Sequence, residues 1–223
     1  MALKNPCWKV TMLKEDNRRD RVLTREEFER LVPELPDHLI PEFYVAYYTG
    51  MRRGEILNLT WEKVNMKAGF IDLEPKDTKN SEPRRLYFND VLWNIFKKEY
   101  ARKAKSPFVF TRRGRPIKSI RKGFEEALKR AKIKDFHFHD LRHTFNTNIR
   151  KAGVDQSMIM KMTGHKTLSM FNRYNTVDQD DALEAMGNLD LLLAEQKASK
   201  SSDQVQTGIS LQKNRDSKEP LSI

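Results

Sequence analysis

The chain has 223 residues, with 42 Lys and Arg against 31 Asp and Glu, so its formal net charge is +11. This length accommodates one domain with flanking segments, and the positive charge favours a polyanionic partner. Cys7 is the sole cysteine, which excludes an internal disulfide and a cysteine-based zinc site. The sequence has neither an apolar leader nor a run of about 18 apolar residues, so we expect a cytoplasmic protein with no membrane partner.

Residues 1–22 are polar and basic, which is typical of a linker or of an arm that contacts DNA. A disordered terminus would have the same composition. Thr24-Arg25-Glu26-Glu27 then has the pattern of a capping box, in which Thr and Glu satisfy N–H groups at the start of a helix. We therefore expect the folded domain to begin near Leu23.

A second helix is predicted from about Pro41 to Thr49, and Gly50 ends it because glycine readily adopts the left-handed conformation. Arg52 follows at this junction, where the backbone on both sides could aim its guanidinium inward at a phosphate. Glu55, three residues later, could orient Arg52. A solvated arginine at a helix end is the alternative.

Two strands, 69 to 73 and 84 to 88, are predicted around a polar connection that contains Lys79. A flexible ammonium group at the tip of this hairpin could reach a neighbouring site and donate a proton. A guanidinium does so poorly because it hardly titrates. Many lysines at hairpin tips only increase solubility, so this segment alone leaves the role of Lys79 open.

Two scaffold helices and a short buried segment at 108–110 are predicted next. Asn89 or Asp90 can cap the first helix, and the second spans about 120 to 131. Six basic residues around these elements could follow a nucleic-acid backbone or form a solvated face: Arg112, Arg113, Arg115, Lys118, Arg121 and Lys122.

Asp140 can cap a further helix that ends at Gly153. Its apolar positions recur every four residues from Leu141, and Arg142 falls on a different side of the helix. We therefore expect that Arg142 need not be buried.

A helix from 155 to 163 is predicted to bury Met158, Ile159 and Met162, which places His165 in a turn after the helix. Further helices are expected over 167–175, ending near Tyr174, and over 181–194. The polar residues that follow 196 are expected to be disordered.

The segment 139–174 therefore concentrates polar chemistry: His139, Arg142, His143, His165 and Tyr174. A phenol, with a pKa of about 10, is a poor nucleophile while protonated, yet it can attack phosphorus if fixed cations draw charge off the phosphate. A zinc hydrolase is the competing interpretation, although no Glu lies between His139 and His143 to act as a base. The zinc ligands in this interpretation would be His137, His139, His143 and His165.

The chain resembles the catalytic domain of tyrosine recombinases, the phage and mobile-element integrases, over about residues 23–194. The matching segments are Thr49-Gly50-Met51-Arg52, Lys79 in Thr-Lys-Asn, His139-Asp140-Leu141-Arg142-His143, Gly164-His165 and Arg173-Tyr174. Their order and the spacing between His165 and Tyr174 match the family together. The resemblance implies an α+β, mainly α fold: a helical core with a small antiparallel β-sheet.

By this resemblance, Tyr174 attacks the scissile phosphate of double-stranded DNA and forms a 3′-phosphotyrosyl bond. Arg52 and Arg142 hold the nonbridging oxygens of the phosphate, and His165 donates a hydrogen bond to one of them. This chemistry needs neither a metal ion, nor another cofactor, nor ATP.

The resemblance assigns the remaining roles to four residues. Lys79 protonates the leaving 5′-oxygen, and His139 assists proton transfer at the tyrosine. Glu55 and His143 support the residues that contact the phosphate.

The expected organisation is a basic linker or arm at 1–22, a catalytic domain at 23–194 and a disordered polar tail at 195–223. Family members usually carry a helical DNA-binding domain ahead of the catalytic one, which we expect to be absent here. By the resemblance, the last helix packs on a neighbouring protomer, which implies a homo-oligomer that is tetrameric on DNA. We expect the protein to be associated with the nucleoid. The alternative function is a truncated, non-catalytic DNA-binding remnant of an integrase.

Overall fold

The structure of the protein is a computed structural model that describes residues 21–78, 82–103, 105–172, 183 and 186–194. The described part is mainly helical, and its strands pair antiparallel, which confirms the predicted fold class. The chain divides into two compact units, Met1–Thr176 and Val177–Ile223. The predicted arm and tail lie almost entirely outside the described residues.

The described elements of the first unit are, in chain order, α1 (Arg25–Leu31), α2 (Ile40–Thr49), α3 (Arg53–Leu57), β1 (Val64–Asn65), β2 (Phe70–Leu73), β3 (Arg84–Tyr87), α4 (Asp90–Ala101), β4 (Thr111–Arg112), β5 (Arg115–Pro116), α5 (Arg121–Arg130), α6 (Asp140–Lys151), α7 (Gln156–Thr163) and α8 (Leu168–Asn172). Three short 3₁₀ helices lie among them, at Val32–Glu34, Trp61–Lys63 and Pro75–Asp77.

Local capping signals set the ends of several helices. The hydroxyl of Thr24 accepts a hydrogen bond from the N–H of Glu27 at 3.2 Å, and the Glu27 carboxylate accepts one from the N–H of Thr24 at 3.1 Å. The predicted capping box at the start of α1 is therefore confirmed. Asn89 caps α4 through a hydrogen bond from the N–H of Leu92 at 2.9 Å.

Helix α2 packs against α6, and Gly50 makes this contact possible. Gly50 ends α2 with φ 62, as predicted, and a Cβ at this position would lie 2.7 Å from Cδ1 of Phe145. The left-handed turn and the close approach of the two helices therefore both require glycine.

The three-stranded sheet has the order β1-β2-β3, with Ile71 opposite Leu86 and Leu73 opposite Arg84. Side chains alternate between its faces, so Arg84 and Leu86 are buried whereas Arg85 is exposed. The predicted strands at 69–73 and 84–88 are confirmed to within one residue. Strand β1 has two residues, too few for alternation to indicate it.

Two predictions about α6 and α7 are wrong. Asp140 is the first residue of α6 rather than its cap, and its carboxylate accepts a hydrogen bond from the N–H of His137 at 2.8 Å. Met158 is 52% exposed instead of buried. The neighbouring Ile159 carries the buried face of this short helix, and successive helical residues point about 100° apart.

The second unit is described at Leu183 and over the helical residues 186–194. Its apolar side chains at Leu183, Met186, Leu189 and 191–193 are exposed. None of the described helices is both long and apolar enough to cross a membrane.

Candidate active site

The guanidinium of Arg142 lies where three segments of the chain meet. Its Nη1 donates a hydrogen bond to the carbonyl oxygen of Gly50 at 2.8 Å. Its Nη2 donates to the carbonyl oxygen of Thr163 and lies 3.1 Å from Nε2 of His165. Arg142 is only 2% exposed, so the expectation that it need not be buried is wrong: its side of α6 faces the ends of α2 and α7.

Both carbonyl groups lie at C-terminal ends of helices, where left-handed glycines stop the chain from continuing as a helix. Gly50 ends α2 with φ 62, and Gly164 ends α7 with φ 71. Carbonyl oxygens at a helix C-terminus carry partial negative charge and favour a cation. Because they are neutral acceptors, they orient the guanidinium of Arg142 without cancelling its positive charge.

His165 is buried beside Arg142, and its hydrogen bonds fix its tautomer. The hydroxyl of Thr163 donates to the carbonyl oxygen of Ile159 at 2.7 Å, so its oxygen is the acceptor in the 2.8 Å contact with Nδ1 of His165. The proton of the neutral ring therefore sits on Nδ1, and Nε2 accepts from Arg142. Burial, followed by the positive charges of Arg142, Arg52 and Arg84, lowers the pKa of His165 to about 3.

Arg52 lies at the start of α3, where Glu55 holds it at two points. The backbone N–H of Arg52 donates to Oε2 of Glu55 at 2.8 Å, and its Nη1 donates to Oε1 at 3.0 Å. The orienting role predicted for Glu55 matches this geometry. Oε2 also accepts a hydrogen bond from Nη2 of Arg84, so one buried carboxylate joins two arginines.

His139 and His143 lie at the start of α6, one turn apart. Their ring centroids are 6.3 Å apart, with the rings nearly perpendicular. His143 is buried, whereas His139 has substantial exposed surface. Protein atoms crowding the ring of His139, and then the charge of Arg142, lower the pKa of His139. The lowered pKa favours the neutral imidazole of His139.

Lys79 and Tyr174 lie outside the described residues, so their predicted roles stay predictions. The segments that flank them are described. The hydroxyl of Thr78 donates to the carbonyl oxygen of Glu82 at 3.1 Å and accepts from the N–H of Glu82 at 3.0 Å, so the described residues on either side of 79–81 are in contact. On the other flank, Phe171 of α8 is buried with its ring 6.0 Å from that of His165.

The zinc interpretation needs several ligands around one point. Among the described residues, which include all four proposed histidine ligands, no group of three His, Cys, Asp or Glu side chains could hold a metal ion. The guanidinium of Arg142, a cation that repels a metal ion, lies beside His165.

Sequence reasoning misses two residues of this cluster, Arg84 and Thr163. Arg84 shares a face of β3 with the apolar Leu86, and this alternation is the signal that could have identified it as a buried charge. Thr163 precedes the glycine that ends α7, where a hydroxyl commonly bonds the carbonyl four residues earlier. Its additional contact with His165 has no signal in the sequence.

The chain is similar to known proteins over most of its length. The model of the phage integrase family matches residues 21–181. The integrase of Salmonella phage P22 is 33% identical over 186 residues, which cover 78% of this chain and 48% of the relative. Tyrosine recombinase XerA of Pyrococcus furiosus is 28% identical over 200 residues, covering 85% of this chain and 66% of XerA. The chain thus spans about half the length of the P22 integrase.

Solved structures share the fold. A crystal structure of XerA recombinase aligns with a TM-score of 0.63 at 20% identity, covering 75% of this chain and 64% of that one. The catalytic domain of bacteriophage HP1 integrase aligns with a TM-score of 0.56 at 24% identity, covering 70% of this chain and 87% of that domain.

Proposed function

We propose that this chain, which belongs to the phage integrase family of tyrosine recombinases, cleaves and rejoins DNA through a phosphotyrosyl intermediate at Tyr174. The observation that carries this proposal is the arrangement of Arg142: a buried guanidinium, oriented by neutral carbonyl groups, with His165 at its side. Such an arrangement suits a group that becomes more negative during the reaction, since donors fixed in advance stabilise that charge without reorganising.

In the proposed reaction, the phenolic oxygen of Tyr174 attacks the scissile phosphorus and loses its proton, with assistance from His139. The bond between phosphorus and the 5′-oxygen breaks, and Lys79 supplies the proton that makes the leaving group a 5′-hydroxyl. The new 3′-phosphotyrosyl ester is a phosphodiester like the one it replaces. A 5′-hydroxyl can therefore reverse the reaction without ATP.

Arg52, Arg142 and His165 hold the nonbridging oxygens in this proposal. Without DNA, Nε2 of His165 accepts a hydrogen bond and the pKa of the ring is about 3. A phosphate anion placed beside the ring raises that pKa, because a negative charge favours imidazolium. In this proposal Nε2 of His165 takes up a proton as substrate binds, Nη2 of Arg142 turns from the imidazole to the phosphate, and Thr163 still accepts from Nδ1.

We also propose double-stranded DNA as the partner. The net charge of +11 and six exposed basic residues around the β4–β5 hairpin support this: Arg112, Arg113, Arg115, Lys118, Arg121 and Lys122. Among the solved structures that share the fold, the Tn1549 transposon integrase is in complex with circular intermediate DNA. The exposed apolar side chains of residues 186–194 support a homo-oligomer, for which we propose a tetramer on DNA.

For the organisation of the chain, we propose the catalytic domain over 23–194, preceded by a basic arm at 1–22 and followed by a polar tail at 195–223. We place the protein in the cytoplasm, associated with the nucleoid.

The test is covalent capture of a nicked suicide substrate, from which the short fragment that carries the new 5′-hydroxyl is lost after cleavage. We expect the unaltered chain to form a protein–DNA adduct that survives denaturation, at the same rate in EDTA. Tyr174→Phe should abolish the adduct and leave DNA affinity unchanged, since only one hydroxyl is lost. DNA binding without an adduct in the unaltered chain would indicate the non-catalytic remnant. Adducts that persist in Tyr174→Phe would refute the assignment of the nucleophile.

A further inference from the structure

Arg84 is a buried cation on the apolar face of a strand. Its side chain is 3% exposed, and it points into the protein beside Leu86, whereas the adjacent Arg85 is exposed and pairs with Asp72 at 2.7 Å. Burying a guanidinium is costly unless it is paired. The partner of Arg84 is Glu55, the same carboxylate that binds Arg52.

Space for Arg84 is made by Gly164, the residue that ends α7. A Cβ at Gly164 would lie 3.0 Å from Nη1 of Arg84. The left-handed turn that presents His165 therefore also admits the guanidinium of Arg84 to the cluster. Strand β3 and helix α7 are in contact, so this placement links the sheet to the site.

We propose that Arg84 is a positioning residue for DNA cleavage, which fixes Glu55 and offsets its negative charge so that Arg52 stays oriented and available to the phosphate. This rests on the proposed function. In this proposal Arg84 acts on Arg52 through Glu55, the carboxylate to which its Nη2 donates, and not by contact with the substrate.

The charges explain why two arginines share one carboxylate. Glu55 alone would orient Arg52 and also neutralise it, because the pair has no net charge. With Arg84 on Oε2, the three groups together carry one positive charge. Arg52 thus gains a fixed geometry from Glu55 without losing its attraction for an anionic phosphate.

A double-mutant cycle tests this route through Glu55. The variants are Arg84→Met, Glu55→Gln and their combination, and the readout is the single-turnover rate of covalent capture. We expect Arg84→Met to slow capture by about 10- to 100-fold, which is typical when a residue is lost that orients a functional group without itself contacting the substrate. In the Glu55→Gln background the same change should have little further effect. Arg85→Met, on the neighbouring position of β3, is the control and should leave the rate unchanged.

Stability is measured in parallel by urea unfolding. If Arg84 were only structural, Arg84→Met would slow capture equally with Glu55 and with Gln at that position, and this result would overturn the proposal. If Arg84→Met does not fold, Arg84→Lys takes its place in the cycle, since it keeps a cation opposite Glu55. We expect it to slow capture less than a loss of Arg52 does, and again to depend on Glu55; equal effects in both backgrounds would refute the inference.

A DNA-free measurement separates this inference from the proposed function. Relaxation of the Arg52 Nε–H group by NMR reports whether its guanidinium is held. We expect this group to be ordered in the unaltered chain and more mobile in Arg84→Met. If the unaltered chain forms no Tyr174-dependent adduct, the proposed function fails, and this measurement still decides: unchanged order of Arg52 in Arg84→Met would overturn the positioning role.

Discussion

Replacing Thr163 with Val removes the acceptor that fixes the tautomer of His165 while keeping the shape of the side chain. Thr163 is fully buried, and its hydroxyl joins the Ile159 carbonyl to Nδ1 of His165 at 2.7 and 2.8 Å. With Val, a proton on Nδ1 has no acceptor there. A proton on Nε2 would instead face the Nη2 donor of Arg142, now 3.1 Å away.

Either arrangement leaves a buried donor unsatisfied, which costs about 1–3 kcal/mol. We therefore expect the free energy of unfolding to fall by this amount in Thr163→Val. The imidazole should also lose its single tautomer. If misorientation of the imidazole raises the activation free energy of DNA cleavage by about 1.4 kcal/mol, the cleavage rate falls about tenfold.

Urea unfolding measures the stability, and ¹⁵N spectra of the imidazole nitrogens measure the tautomer. Thr144→Val is the matched control, because Thr144 is also fully buried, donates to the Asp140 carbonyl at 3.0 Å and accepts from the N–H of Leu23 at 3.0 Å. It should lose similar stability and leave His165 unchanged. Thr163→Ser should keep the tautomer. A Thr163→Val variant whose His165 still carries its proton only on Nδ1 would refute the reasoning.

Three further predictions use other parts of the site and the core. Burial, with a smaller effect of the Glu99 charge, raises the pKa of Glu42 from 4.5 to about 8. The contribution of Glu42 to the free energy of unfolding is therefore full below about pH 4.5 and is lost as the pH rises to 8. In urea unfolding, the stability of Glu42→Met relative to the unaltered chain should therefore rise by a few kcal/mol between pH 5 and 8, and a stability difference that does not change with pH would contradict this. In the same assay, Gly50→Ala should lower the free energy of unfolding by more than about 1 kcal/mol, because φ is 62 and the new Cβ would lie 2.7 Å from the Phe145 ring. Gly54→Ala has open space around its Cβ and should raise the free energy of unfolding by about 0.5–1 kcal/mol. Equal effects of the two substitutions would exclude the environment of Gly50 as the cause. Lys79→Ala should slow capture of ordinary DNA but much less that of DNA with sulfur as the 5′-leaving atom, because a thiolate leaves without protonation; equal slowing would rule out Lys79 as the acid.

Short-range signals predict much of the fold. Gly50 and Gly164 end their helices, and Thr24 and Asn89 begin theirs, because each acts on backbone groups within a few residues. Such signals are read without knowledge of the tertiary structure. The same holds for the pairing of Arg52 with Glu55 across one helical turn.

Hydrogen-bond partners that are far apart in the sequence cannot be predicted from such short-range signals. The acceptors of Arg142 lie 92 and 21 residues away, so helical periodicity could not predict that its side of α6 is buried. Likewise, alternation with Leu86 indicates that Arg84 rather than Arg85 faces inward, but the partner of Arg84 is Glu55, 29 residues away in the sequence, which no local pattern predicts. The family resemblance supplied roles for Lys79 and Tyr174, and these roles stay predictions.

The position of Arg142 between two helix ends also makes the site sensitive to how far folding has proceeded. Its acceptors become available only when α7, close to the end of the first unit, has packed near the end of α2. A nascent or partly unfolded chain keeps its positive charge, but the Arg142 guanidinium is not yet oriented. The proposed cleavage activity is thereby restricted to molecules in which α2, α6 and α7 have packed together.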